Sequence, residues 1–192
     1  MIVGVLLAAG RGSRFAAAGR KQLALMPDGQ TMLAVSVRNM CAALDEVVMV
    51  VRDDPTLIDH AKKIAEECDC RVVVNARADE GMATSIACGV EAARDADGWL
   101  IGLADMPRIL LSTHAAVARA LEKNRGIVVP VYQQQRGHPV GFDRAFMDEL
   151  QQLAGDSGAR ELLRRHADRI TLVEIDDAGI LLDIDTPADM PA

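Results

Sequence analysis

Aromatic side chains are scarce: one tryptophan, one tyrosine and three phenylalanines in 192 residues, although half the chain is hydrophobic. A core of that composition must be filled by Val, Leu, Ile, Ala and Met, which suits layered α/β packing. The length predicts a single domain, 1–192, able to bury its core without staples. Cysteine is sparse too. Cys41, Cys68, Cys70 and Cys88 contain no CxxC pair, and His60, His114, His138 and His166 do not stand at zinc-partner spacing, so reduced, mostly buried thiols of a cytoplasmic protein are expected. No apolar run is long enough to span a bilayer. "MIVGVLLAAG" lacks a charged leader and is broken at once by "GRGSR", so it is expected to be a first strand rather than a signal peptide. The formal net charge of -7 leaves no broad basic footprint, which argues against nucleic-acid or anionic-membrane partners. Internal repeats and Pro/Ser-rich linkers are also missing.

Against that acidic background, residues 7–21, "LAAGRGSRFAAAGRK", hold three glycines and four cations, and no acid precedes Asp28. Gly10 and Gly12 let backbone amides close on phosphate oxygens, while Arg11, Arg14 and Lys21 can neutralise phosphate charge. The loop lacks the GxxxxGK[ST] of a Walker cradle, and Phe15 stands where a dinucleotide fingerprint needs its third glycine. A solvated basic turn is the alternative reading.

Apolar runs at "IVGVLLAA", "EVVMVV", "RVVV", "GWLIGLA", "GIVVPVY" and "ITLVEI" alternate with amphipathic segments. The pattern predicts βαβ units, a mainly parallel sheet and a three-layer α/β/α, Rossmann-like fold. Thr31, Asp54 and Ser112 are expected to cap helices reaching Leu44, Cys68 and Lys123. In such sheets ligands sit beyond the carboxyl ends of the strands. Two acids occur at strand exits of this kind: Asp105 in "LADMP", and Asp185, with Asp183 as competitor, in "LLDIDTP". They are candidate magnesium ligands, because that ion takes one or two carboxylates plus phosphate oxygens and water. Each could equally be a turn or cap residue. "DEGMATSIACGV" reads as a helix start, with Gly81, Thr84 and Ser85 near its N-terminus and Thr84 or Ser85 as an ordinary cap in the plainer reading. "RGHPVGF" could be a structural turn or a short strand edge.

The stretch "LAAGxGxR…KQL" resembles the signature of nucleotidyltransferases with the glycosyltransferase-A-like fold, in which the loop wraps NTP phosphates and the lysine meets the α-phosphate or the acceptor. "GMxxSIxxGV", "RGHPV" and "GDSGARELLRRH" resemble the molybdopterin nucleotidyltransferase family, in its molybdenum cofactor cytidylyltransferase branch, and the likeness runs in order from Leu7 to Met190. It implies an Mg²⁺-dependent transfer of CMP from CTP to the phosphate of molybdopterin cofactor, with release of pyrophosphate. A molybdoenzyme would then receive the product. By the same resemblance Ala8, Ala9, Gly10, Arg11, Gly12, Lys21, Gly81, Met82 and Ser85 bind nucleotide. Lys21, Arg14 and Asp105 form the catalytic set, and Asp105 and Asp185 hold the metal. Arg136, His138, Gly158 and Arg160 meet the acceptor. Ala9, where guanylyl enzymes usually carry glycine, suggests cytidylyl transfer. A guanylyl or other cytidylyl enzyme of the same fold and a non-catalytic cofactor carrier remain as alternatives. Two departures stand out: "RFAAAGRK" is longer than the usual loop, so either Arg20 or only Lys21 reaches the phosphates, and "YQQQRGHP" has glutamines where a glycine is common.

Overall fold

A computed structural model describes residues 1–13, 15, 20–156 and 158–190. All six apolar runs are strands: β1 (Ile2–Ala8), β2 (Val47–Arg52), β3 (Arg71–Asn75), β4 (Gly98–Leu103), β5 (Ile127–Tyr132) and β8 (Ile170–Glu174). Two further strands, β6 (Gln135–Arg136) and β7 (Val140–Asp143), complete an eight-stranded sheet ordered β3-β2-β1-β4-β7-β5-β6, with β8 also paired to β5. The β1–β2, β1–β4, β2–β3 and β5–β8 pairs are parallel, and β7 runs antiparallel to both β4 and β5.

Of "RGHPVGF", expected at a short strand edge, only Arg136 lies in an end strand, β6; residues 140–142 belong to an internal one. After β5 the chain reverses through Gln133 and Gln134, both at positive φ (47° and 64°). The returning strand β7 is inserted between β4 and β5 and buried along its length. The chain thus turns back where glutamines replace the commoner glycine.

Period-two alternation on the strands divides two apolar layers. Val3, Val5, Leu7, Trp99, Ile101 and Val129 pack under α3 (Met82–Ala92), α5 (Met147–Gln151) and α6 (Arg160–Arg165). Leu6, Ala8 and Met49 pack under α1 (Met32–Cys41) and α2 (Pro55–Cys68), while Ile2, Leu100 and Val128 pack under α4 (Leu111–Asn124). The three-layer α/β/α arrangement with a mostly parallel sheet is thus present.

Thr31 and Asp54 do cap α1 and α2, accepting from the amides of Ala34 and Leu57, although α1 stops at Cys41 rather than Leu44. Ser112 does not cap α4. Its role falls to Asp177, distant in sequence, which accepts from the Leu110 amide at 2.9 Å and the Thr113 hydroxyl at 2.6 Å. Neither Thr84 nor Ser85 caps α3, whose N-cap is Gly81; both hydroxyls instead accept from the Asn75 amide, at 2.9 and 3.0 Å. The four cysteines are free, as expected, but only half-buried. Among the described residues no helix is long and apolar enough to cross a membrane.

Within α4, His114 is 3% exposed, and burial pushes its imidazole down to about 4 against the opposing pull of Asp177. The unfolded chain takes up that proton below about pH 6.5. Stability from the neutral buried ring is therefore fully present above that pH and is lost as pH falls towards 4. We predict that His114→Leu loses about 2 kcal/mol less than wild type between pH 7 and 4.5 in urea unfolding. Equal losses in the two proteins would contradict this.

Candidate active site

Strand β1 has β2 on one side and β4 on the other, so the exits of β1 and β4 open on a crevice at the topological switch. A cavity of about 510 Å³ lies there. Its walls include Ala8, Ala9, Gly10, Arg11, Gly12 and Lys21 from the opening loop, Gly81, Met82 and Ser85 from the start of α3, and Asp105 after β4. All nine residues expected to meet nucleotide are thus brought together. A Cβ on Gly10 would meet nothing within 4 Å, so glycine leaves that part of the cradle open to a ligand. Gly12 has φ +58°, and a Cβ there would come within 2.6 Å of the Lys21 Cβ. Glycine is needed to seat Lys21 against the loop. Arg14 lies outside the described residues.

The central contact is an ion-pair bridge. Lys21 Nζ donates to Asp105 Oδ2 at 2.8 Å and to Asp185 Oδ1 at 2.7 Å, and the lysine side chain is 9% exposed. Burial alone would pull the ammonium below its ordinary value, but hydrogen bonds and charge from the two aspartates outweigh that effect and hold it above. Asp105 is carried by the loop after β4, and its carbonyl accepts from the amide of Ile184 at 2.8 Å. Ile184 is buried with Phe15 and Met32. This anchor sets the alternation that follows: Asp185 reaches Lys21, while Asp183 lines a second cavity. The turn role that Asp185 might have filled belongs to Asp189, whose carboxylate accepts from the amide and hydroxyl of Thr186.

That second cavity, of about 480 Å³, adjoins the first and shares Leu7, Met82, Leu103 and Asp156 with it. Arg136, His138 and Arg160 line it. Gly158 stands behind the wall, buried at φ +55°, where a Cβ would lie 3.0 Å from the Met82 sulfur. Burial pushes the His138 imidazole down, although Asp105 and Asp183 pull the other way, and its Nδ1 is buried without a hydrogen-bond partner. A neutral ring with a free nitrogen can donate to or accept from a ligand. The His138 amide donates to the Ile180 carbonyl at 3.1 Å, tying this strap to the segment that leads on to Asp183.

Two cations of the opening loop are held in ion pairs, Arg11 at the wall of the first cavity and Arg20 away from it. Arg11 Nε donates to Asp79 at 2.9 Å, and Asp79 also accepts from Arg52 at 2.7 Å. Arg20 pairs with Asp54 at 2.7 Å, which holds that carboxyl below its usual range. The lengthened loop therefore sends Arg20 to the start of α2 and Lys21 to the cavity.

Sequence reading passed over Gln22, whose amide donates to the Ala8 and Gly10 carbonyls at 3.2 and 2.7 Å and so ties the loop to β1. It also assigned no role to Asp79. Asp156 was noted as part of a motif, but its place on the wall common to both cavities was not foreseen. The "KQ" pair was the signal for Gln22; for the two acids nothing local distinguishes them from surface residues.

As a metal site, Asp105 and Asp185 supply hard oxygen ligands, and Asp105 Oδ1 is buried with no hydrogen-bond partner. Both carboxylates reach one ammonium nitrogen, so their oxygens lie no farther apart than those two bonds allow. Among the described residues no group of three or more His, Cys, Asp or Glu side chains could hold an ion unaided. A magnesium-like ion completed by ligand phosphates and water fits such a donor pair.

Comparisons with known proteins place the fold and the family. The chain is 30% identical to the purine catabolism protein PucB of Bacillus subtilis, covering 97% of this chain and 92% of the relative. It is also 30% identical to the nicotine blue oxidoreductase of Paenarthrobacter nicotinovorans (98% and 94% covered). The molybdenum cofactor cytidylyltransferase of Escherichia coli is 24% identical (96% and 91%). The solved structure of Rv0371c from Mycobacterium tuberculosis superposes with a TM-score of 0.80 at 27% identity, over 98% of this chain and 95% of that one, and the same protein has been solved in complex with manganese. Residues 4–170 match the model of the MobA-like NTP transferase domain. On that match the chain belongs to the MobA-like NTP transferase domain family and is a nucleotidyltransferase.

Proposed function

We propose that the chain transfers CMP from CTP to the terminal phosphate of molybdopterin cofactor, releasing pyrophosphate. The observation that carries this reading is the Asp105–Lys21–Asp185 bridge, set at the glycine-lined cavity and beside a second cavity large enough for an acceptor. In it, Gly10, Arg11 and Gly12, with Arg14, cradle the triphosphate; Gly81, Met82 and Ser85 meet the base and sugar. Lys21 brings positive charge to the reacting α-phosphate. Arg136, Arg160 and His138 hold the acceptor. An acceptor phosphate oxygen attacks the α-phosphorus in line, the bond from that phosphorus to the bridging oxygen breaks, and pyrophosphate leaves. No general base is needed, because the acceptor phosphate is already ionised.

Asp105 and Asp185 would hold Mg²⁺, which when bound neutralises charge on the triphosphate. The two arginines at the rim of the second cavity and its apolar floor, with Ile101, Val129 and Phe142, suit an acceptor that joins an anionic phosphate to a flat organic body. The relative named as a cytidylyltransferase supports this acceptor and base. The relative named as a purine catabolism protein supports a recipient that acts in the breakdown of purines.

The oxidoreductase at equal identity favours a second reading, redox chemistry on a heterocycle in the same cavity. One assay separates the two. Incubation with Mg²⁺, each NTP in turn and molybdopterin cofactor is expected to release pyrophosphate fastest with CTP and only when the acceptor is present. Pyrophosphate release with GTP alone reassigns the base. No release with any NTP, together with oxidation of a reduced nicotinamide cofactor in a parallel incubation with a heterocyclic acceptor, favours the redox reading.

A further inference from the structure

The ammonium of Lys21 occupies the position from which a cation reaches Asp105 and Asp185 together, with bonds of 2.8 and 2.7 Å. Magnesium approaches such oxygens to about 2.0–2.1 Å. An ion shared by the same two carboxylates would therefore press against Nζ, and two cations in contact at a part-buried site repel strongly. We propose that Lys21 is a placeholder. In the nucleotide-free protein its ammonium neutralises and orients the two acids, and it yields them when metal and nucleotide arrive. Ammonium and divalent ion thus compete for one pair of carboxylates. The inference rests on reading Asp105 and Asp185 as the metal ligands.

Three features of the site support the exchange. Without a cation between them, two neighbouring carboxylates at a part-buried site would repel each other, so some positive charge is required there before any ligand binds. The lysine has somewhere to go: its stem lies against Gly12 and its side chain lines the same cavity as Gly10 and Arg11. Rotation about that stem moves the charge from the acids into the cradle, where phosphate oxygens would receive it. One acceptor is also in reserve, since Asp105 uses Oδ2 for the lysine while Oδ1 is buried without a partner. A group that must be displaced weakens the binding of metal alone. A nucleotide that draws the ammonium away strengthens it, so metal and nucleotide affinities are coupled.

The probe is Mn²⁺, with the free ion counted by its electron paramagnetic resonance signal, titrated into full-length wild type and the Lys21→Met, Lys21→Gln and Asp105→Asn variants. Each titration is run with and without a non-hydrolysable CTP analogue. Lys21→Met is expected to bind Mn²⁺ alone about tenfold more tightly than wild type or better, and to gain less from the analogue. Lys21→Gln replaces the ammonium with a neutral amide that can still donate to the carboxylates, and is expected to show the same tightening should Lys21→Met fold poorly. If neither Lys21 variant tightens Mn²⁺ binding while Asp105→Asn abolishes it, the ammonium does not compete and the placeholder is refuted with the metal site intact. If Asp105→Asn leaves Mn²⁺ binding with the analogue unchanged, the metal-ligand reading and the placeholder fall together.

Discussion

Asp105→Asn is expected to lower kcat by about three orders of magnitude at saturating CTP and metal, the size of loss seen when one preorganised electrostatic contact to a transition state is removed. The substitution takes away the anionic charge that meets Lys21 and is proposed to meet the metal, and leaves one neutral amide oxygen in place of two charged ones. It leaves the local fold supported. The contact that anchors the segment runs from the Ile184 amide to the Asp105 backbone carbonyl, and Lys21 retains Asp185. The urea midpoint should therefore stay close to wild type, because the isosteric amide can still accept from Lys21 and the ammonium keeps its charged partner Asp185. Steady-state turnover with urea unfolding on the same preparation checks both halves. Turnover within tenfold of wild type would contradict the assignment of Asp105, and a lost fold would assign it a structural role instead.

Gly137→Ala is expected to separate the two substrates kinetically. A Cβ at this position would lie 2.3 Å from the Ile180 carbonyl oxygen and 2.7 Å from the Ile180 Cγ1, so the connection between β6 and β7 must part from the helical turn at Ala178–Leu181. The same carbonyl accepts from the His138 amide, and Ile180, Leu181 and Asp183 belong to the second cavity. None of these residues lines the first. The KM for the acceptor should rise about tenfold or more, the equivalent of about 1.4 kcal/mol, while the KM for CTP stays within about twofold. Initial rates with each substrate varied in turn measure this. Equal damage to both KM values would mean that the cavities are not separate subsites.

The contrast between these two positions reflects what a linear pattern can carry. The strands were legible because a parallel sheet covered on both faces demands continuous apolar runs such as "VVMVV" and "WLIGL". Asp105 stood out because an acid between a buried strand and a proline has few places to point. Asp185 was expected at a strand exit as well, but it follows a helical turn (Ala178–Leu181) and irregular backbone, since the apolar run before it packs as a turn against the strap at His138 rather than pairing in the sheet. Caps were legible where donor and acceptor are three residues apart, as at Thr31 and Asp54. They failed at Ser112, because the carboxylate serving α4 comes from Asp177. The central place of β7 was hidden for a similar reason: nothing within "RGHPVGF" specifies that β4 and β5 stand apart to admit it. Asp79 takes its position from Arg11 and Arg52, outside its own segment, so local sequence did not mark it; Gln22 and Asp156 stood within the "KQ" and "GDSGAR" patterns, but the contacts that give them their places are not local to those patterns. Lys21 was read as a phosphate-binding cation, and its grip on both acids adds a state that precedes any ligand.

The most direct measurement follows the phosphorus atoms. CTP labelled separately at the α and γ positions is incubated with the protein, Mg²⁺ and molybdopterin cofactor, and the products are resolved. The account predicts that the α label moves to the acceptor in a new phosphoanhydride while the γ label leaves in pyrophosphate, at equal rates. A γ label appearing on the acceptor, or an α label that never leaves CTP, would contradict nucleotidyl transfer to this acceptor at the Asp105–Lys21–Asp185 centre.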